Sequence, residues 1–238
     1  MVLIFDLDGT LLNTIDDLGY ACNHALQLAG YPVHPIEAYP AMVGNGINNL
    51  IRRALPETVR TEETILRVRE FFVPYYDEHN CDFTRPYAGI PELLATLKAQ
   101  GHLLAVASNK YQAATEKIVN HFFSGIFDVI FGEREGVNRK PDPQIVYDIL
   151  NTLNSPYGEA DRSTVGRKEL STLNDSQLST LNSQLIYLGD SLVDRDTARN
   201  AGLPFVACSW GFVPRETLVA EGVEHIIDQP VDLLNYVH

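Results

Sequence analysis

The chain has 238 residues, 45 % of them hydrophobic and 21 % charged, which is ordinary globular usage and excludes a disordered or collagen-like chain. Eighteen lysines and arginines against 31 aspartates and glutamates leave a formal charge of −13, which repels nucleic acid and anionic membrane but allows a small anionic ligand held by a local positive site. The three cysteines (Cys22, Cys81, Cys208) are scattered and odd in number, so no disulfide framework is expected and a reducing, cytoplasmic compartment is.

In chain order, Val2 to Phe5 is a short continuous apolar run, the mark of a strand buried on both faces. It stops at Asp6 without a basic flank, so neither a signal peptide nor a membrane span is expected there. From Thr14 to Phe83 no strand is expected. Helical periodicities run instead around Leu18 to Leu28, Ile47 to Leu55 and Thr61 to Tyr76, divided by loops with Gly30, Pro32, Pro35, Pro40, Gly44 and Gly46. The aromatic stripe Phe71, Phe72, Tyr75 and Tyr76 reads as the core of this helical insert. Beyond it, Leu103 to Ala107, Val129 to Phe131, Leu185 to Leu188, Phe205 to Cys208 and the short Ile226-Ile227 read as further strands. Helices fall at Ile90 to Gln100, Ala113 to Phe122 and Pro143 to Leu153. The rhythm predicts an α/β fold, a Rossmann-like parallel sheet covered by helices. Residues 1–13 and 84–238 form the core and residues 14–83 an inserted all-helical cap. Residues 155–184 carry a near-duplicated Ser-Thr-Leu-Asn pattern and read as a polar surface insertion within the core.

In an open parallel sheet, ligands bind beyond the carboxyl ends of the strands. Asp6-Leu7-Asp8-Gly9-Thr10 follows the first apolar run, Ser108-Asn109-Lys110 the second, and Gly189-Asp190-Ser191 the fourth, with Asp194 just beyond. Lys140-Pro141-Asp142-Pro143 precedes a helix. Taken singly, Asp8-Gly9 is a turn, Ser108 a strand-end hydroxyl, Lys140 a solvated lysine and Asp190 a helix cap. Taken jointly they put carboxylates, a hydroxyl, an amide and a lysine on one rim. In a regular strand Asp6 and Asp8 would share a face, and two such carboxylates resist ionising together unless a cation intervenes. Hard oxygen ligands favour Mg²⁺, and a hydroxyl, amide and lysine opposite it suit the oxygens of a phosphoryl group.

These four segments, in this order, resemble the haloacid dehalogenase-like phosphohydrolase superfamily. The position of the helical insert, the Val43-Gly44-Asn45-Gly46 loop with Arg53-Ala54-Leu55, and the return through Pro86-Tyr87-Ala88-Gly89-Ile90 are similar to its phosphoglycolate phosphatase-type branch. The resemblance spans nearly the whole chain except 155–184. It implies a Mg²⁺-dependent phosphomonoester hydrolase that acts on a small phosphorylated metabolite through an aspartyl-phosphate. Asp6 would be the nucleophile and Asp8 the general acid and base. Ser108, Asn109 (through its backbone) and Lys140 would hold phosphoryl oxygens. Asp6, the Asp8 carbonyl and Asp190 would ligate the metal, and Asp194 and Thr10 would support them. Gly44, Asn45, Gly46 and Arg53 are candidates for substrate specificity, and hinges are expected near Asn13-Thr14 and Thr84 to Pro86.

A mutase of the β-phosphoglucomutase kind is the nearest rival. Such relatives carry a histidine twelve residues after the nucleophile and a cap lysine; here that position is Leu18 and no lysine precedes Lys98. A phosphonatase fails on the same missing lysine, and a dehalogenase lacks the second aspartate that Asp8 provides. A zinc site is not expected from seven scattered histidines. Nucleotide or pyrophosphate phosphatases of the same superfamily, and a monomer or a homodimer, stay open at this level.

Overall fold

Residues 1–154 and 185–237 are described by the computed structural model, so the reading of residues 155–184 as a surface insertion lies outside the described residues. The chain opens with β1 (Val2–Phe5), turns through a two-residue β2 (Leu12–Asn13), and enters helices α1 (Ile15–Ala29), α2 (Ile47–Ala54) and α3 (Glu62–His79). It returns by β3 (Arg85–Pro86), which pairs antiparallel with β2. Then follow α4 (Ile90–Ala99), β4 (Leu103–Tyr111), α5 (Gln112–Phe123), β5 (Val129–Glu133) and α6 (Gln144–Asn154). The last elements are β6 (Leu185–Gly189), α7 (Leu192–Asn200), β7 (Phe205–Cys208), α8 (Arg215–Ala220) and β8 (Ile226–Ile227).

Six strands form one parallel sheet in the order β5-β4-β1-β6-β7-β8. The alternation of side chains across a strand explains why β1 is apolar throughout. Leu3 and Phe5 pack on one face with Leu104, Val106, Ile186 and Leu188. Ile4 packs on the other with Ala105, Tyr187 and the α6 residues Val146 and Ile149. The order also places a topological switch at β1. The chain builds β4 and β5 on one side of it and β6 to β8 on the other, so the crevice at its carboxyl end is where a ligand fits this architecture.

The helices of the segment between β2 and β3 pack along an apolar seam. Leu18, Ala21, Cys22, Ala25 and Leu26 of α1 meet Leu50, Ile51 and Ala54 of α2 and Ile65, Val68, Phe72 and Tyr76 of α3, all buried. The aromatic stripe divides. Phe72 and Tyr76 are buried, Phe71 is exposed, and the half-buried Tyr75 stacks on His24 and lies tilted against His79.

The β2–β3 ribbon, which the apolar pattern does not announce because its four residues carry no run, joins the helical segment to the sheet. Asp17 locks it. This buried carboxylate accepts from the Phe83 N–H at 3.0 Å, the Thr84 N–H at 2.8 Å and the Thr84 hydroxyl at 2.7 Å. It also sits in the first turn of α1, where the helix dipole favours a negative charge. Hydrogen bonds to a buried charge are each worth roughly 1.5–3 kcal/mol. Asp17→Ala is therefore expected to lower the unfolding free energy by about 3 kcal/mol, read from urea denaturation, with Asp17→Asn intermediate. A change below about 0.5 kcal/mol would show that these bonds contribute little.

Candidate active site

β1 ends at Phe5, so Asp6 and Asp8 lie beyond the regular strand whose period-2 spacing would put them on one face. Asp6 still donates its N–H to Leu188 at the end of the ladder. The chain then turns so tightly that the Leu7 carbonyl accepts from the amides of Thr10, Leu11 and Leu12. Gly9 makes the turn possible. Its φ is +87°, and a Cβ there would lie 2.3 Å from an oxygen of Asp190. Both carboxylates line one cavity, and each meets its own lysine.

Asp6 meets Lys140. The buried ammonium of Lys140 lies 2.8 Å from Asp6 Oδ1 and 2.7 Å from Asp194 Oδ1, and also donates to the Ala107 carbonyl at 2.9 Å and the Tyr187 hydroxyl at 3.2 Å. The Asn109 side chain fixes the lysine's backbone: its Oδ1 accepts from the Lys140 N–H at 2.9 Å and its Nδ2 donates to the Lys140 carbonyl at 3.2 Å. Asp194 is fixed in turn by a capping box, because Ser191, the N-cap of α7, exchanges hydrogen bonds with it. Ser191 rather than Asp190 thus caps the helix. Asp190 accepts instead from Thr10 Oγ1 at 3.3 Å and the Phe212 N–H at 2.7 Å.

Asp8 meets Lys110, a residue that the motif includes but to which sequence reasoning assigns no role. Lys110 Nζ lies 3.1 Å from Asp8 Oδ1, and Thr14 Oγ1 donates to that same oxygen at 2.7 Å. Asp8 Oδ2 has no partner among the described residues. Lys110 also donates to the Tyr76 hydroxyl at 2.6 Å, so the aromatic stripe of the helical segment reaches the site as well as filling that segment's core. Only contact across the chain reveals this; no spacing within either motif encodes it.

β4 and β5 lose register between Ala107 and Tyr111, which takes Ser108, Asn109 and Lys110 out of the regular ladder and re-aims them. The Ser108 oxygen accepts from the Lys110 N–H at 3.2 Å, leaving its own proton available. The loop Gly44-Asn45-Gly46 has three successive positive φ values of 109°, 64° and 83°. Arg53 holds it, donating from one nitrogen to the carbonyls of Met42, Val43 and Gly44 at 2.8, 3.1 and 3.2 Å. One cavity of about 310 Å³ is lined by Asp6, Asp8, Ser108, Asn109, Lys140 and Asp190, and also by Gly44, Asn45, Gly46 and Arg53 from the helical side. Thr10 and Asp194 stand behind it.

The electrostatics ask for another cation. Asp6, Asp190 and Asp194 each offer an oxygen within 4.8 Å of the others. Burial, reinforced by the charge of Asp194, pushes the Asp6 carboxyl well above the usual range, with Lys140 pulling the other way. Burial and Asp194 likewise push Asp190 up to about 7 despite the Phe212 N–H. Burial alone would lower Lys140, but Asp194 and Asp6 outweigh it and hold the ammonium firmly protonated. One lysine against three buried carboxylates leaves excess negative charge, and an all-oxygen donor set fits a hard divalent ion such as Mg²⁺. Asp6 and Asp190 line the cavity while Asp194 stands behind it, so Asp6 and Asp190 are the side chains that fit as ligands.

Comparison with known proteins agrees with this geometry. The family model for haloacid dehalogenase-like hydrolases matches residues 3–161, more than half of the chain. The phosphoglycolate phosphatase of Haemophilus influenzae is 30 % identical over 237 residues, covering 97 % of this chain and 95 % of its own. That of Mesorhizobium japonicum is 29 % identical over 217 residues, covering 90 % and 85 %. The crystal structure of a candidate phosphoglycolate phosphatase from Lactobacillus delbrueckii subsp. bulgaricus superposes with a TM-score of 0.81 at 30 % identity, covering 98 % of this chain and 95 % of its own. The chain belongs to the haloacid dehalogenase-like hydrolase family, as a phosphatase of the phosphoglycolate phosphatase type.

Proposed function

We propose that this phosphatase is a Mg²⁺-dependent phosphomonoester hydrolase that works through an aspartyl-phosphate on Asp6, with 2-phosphoglycolate as its favoured substrate. The observation that carries the reading is the division of labour between the oxygens of the two aspartates on one cavity wall. Asp6 Oδ1 is held by Lys140, and Asp6 Oδ2 has no partner among the described residues. Asp8 Oδ1 is held by Thr14 and Lys110, and Asp8 Oδ2 is likewise without one. One carboxylate therefore has an oxygen to attack with, and the other has an oxygen to carry a proton.

In the first step Asp6 Oδ2 bonds to phosphorus while the bond from phosphorus to the ester oxygen breaks, and Asp8 gives its proton to that oxygen. In the second step Asp8 takes a proton from water, whose oxygen attacks phosphorus and frees Asp6. Ser108 and the Asn109 backbone hold phosphoryl oxygens throughout, and Lys140 offsets the charge on Asp6. Mg²⁺, when bound by Asp6, the Asp8 carbonyl and Asp190, supplies further positive charge to the phosphoryl group. Asn109 contributes twice, because its side chain also fixes the Lys140 backbone.

Residues 14–83 act as a cap that excludes bulk water, hinged where the β2–β3 ribbon meets it near Asn13-Thr14 and Thr84 to Pro86. A cavity of about 310 Å³ is at the small end for ligand sites, which suits a compact metabolite, and the names of the relatives point to phosphoglycolate. Leu18, the position at which mutase-like relatives carry a histidine, lines the cavity as an apolar side chain. That favours hydrolysis over phosphoryl return to a sugar.

Asp6→Asn is expected to lower phosphate release from 2-phosphoglycolate by at least about 10³-fold with an unchanged circular dichroism spectrum; retained activity would remove Asp6 from the chemistry. Removing divalent ions with EDTA should stop turnover and Mg²⁺ restore it, with Asp190→Asn needing at least about tenfold more Mg²⁺ for half the maximal rate. Identical Mg²⁺ titrations of the two proteins would take Asp190 out of the metal site. Lys140→Met leaves two buried carboxylates facing each other and should cost about 3–5 kcal/mol of stability in urea denaturation, in addition to its loss of activity.

A further inference from the structure

Among the described residues that line the cavity, three are cationic: Arg53, Lys110 and Lys140. Lys140 is fully engaged by Asp6, Asp194, the Ala107 carbonyl and Tyr187. Arg53 is exposed at the rim and spends one nitrogen on three loop carbonyls. Lys110 differs from both. It is 6 % exposed, its nitrogen lies in an ion pair 3.1 Å from Asp8 Oδ1, and it donates a hydrogen bond to the Tyr76 hydroxyl at 2.6 Å. It donates to no other group among the described residues. The nitrogen also sits 4.7 Å from the centre of the Tyr76 ring, which holds it in place from the helical side. Burial keeps the Tyr76 phenol neutral by pushing it well above its ordinary value, so it offers Lys110 an oxygen but no countercharge. A buried ammonium with an unspent donor is a ready partner for an anion that enters the cavity.

We infer that Lys110 reads the charge of the leaving group, its ammonium binding a carboxylate carried one carbon away from the ester oxygen, so that the site selects phosphoesters of 2-hydroxy acids. The inference rests on the proposed role of Asp8. If Asp8 protonates the ester oxygen, that oxygen must come within hydrogen-bonding distance of Asp8, and Lys110 is already in contact with Asp8. A carboxylate one methylene beyond the ester oxygen then falls beside the ammonium. Lys140, held beneath Asp6, and Arg53, on the helical rim, have no such adjacency. Lys110 is thus a specificity-determining residue that touches substrate, while Tyr76 is a positioning residue that acts through it.

The test compares two esters of matched length, 2-phosphoglycolate and ethyl phosphate, which differ by the carboxylate. Their dissociation constants are measured by competition calorimetry in Mg²⁺ on the non-turning Asp6→Asn protein, with Lys110 intact, as Lys110→Met and as Lys110→Arg. With Lys110 intact, phosphoglycolate should bind more tightly than ethyl phosphate. Lys110→Met should reduce that preference by about tenfold or more, and Lys110→Arg should keep most of it. Circular dichroism and thermal melts check that each variant is folded. An unchanged preference in Lys110→Met overturns the inference, as does an absence of phosphoglycolate binding when Lys110 is intact. The hydrolase reading fails separately. A wild-type protein that releases phosphate from neither ester, with the preference still lost in Lys110→Met, would leave the carboxylate site standing and remove the catalytic one.

Discussion

Everything at the carboxyl end of the sheet is arranged around one ammonium. Lys140 bridges Asp6, at the end of β1, and Asp194, in the first turn of α7. It is itself held by Asn109 from β4. Four chain segments far apart in sequence therefore share one buried polar network. A buried ion pair is a poor source of net stability, because desolvation offsets the attraction. What it provides is a fixed position. One oxygen of Asp6 is committed to the lysine, so the other has a defined place and no competing partner. A fully connected polar network of this kind specifies geometry in a way that an apolar contact of the same size does not.

The helical segment contributes to the site by two routes of different character. The Gly44-Asn45-Gly46 loop forms a wall of backbone whose shape is maintained by Arg53. Tyr76 instead sends a hydroxyl from the segment's apolar seam to Lys110. The first sets the size of the cavity and the second sets where a positive charge stands within it. Asp17 gives the segment its fixed point against the sheet, since it ties the start of α1 to the returning chain at Phe83 and Thr84.

Much of this was legible in the sequence because short apolar runs and the residues after them are local signals. Val2 to Phe5 and Phe205 to Cys208 read as strands at the observed bounds, and the α/β class followed from the alternation. Asp6, Ser108, Lys140 and Asp190 were recognisable as strand-end and helix-start residues, and they line one cavity. The reading fell short where geometry depends on the third dimension. β4 runs on through Ser108, Asn109 and Lys110 to Tyr111, because a loss of register lets the strand continue through polar residues. Asp6 and Asp8 lie beyond the last residue of β1, each against a different lysine, which period-2 spacing cannot express. The β2–β3 ribbon has two residues per strand and so no periodicity to detect. Lys110 stood within a recognised motif, but its importance depends on Tyr76, 34 residues away.

The order of the sheet has a consequence for how the molecule fluctuates. β1 lies at its interior, flanked by β4 and β6, with apolar layers above and below. Exposing its amides to solvent means opening both layers, so these amides belong among the slowest to exchange hydrogen with deuterium, near the limit set by global unfolding. The groups that bear charge at the rim hang from this least mobile scaffold. Breathing at the outer strand β8 can proceed without disturbing them.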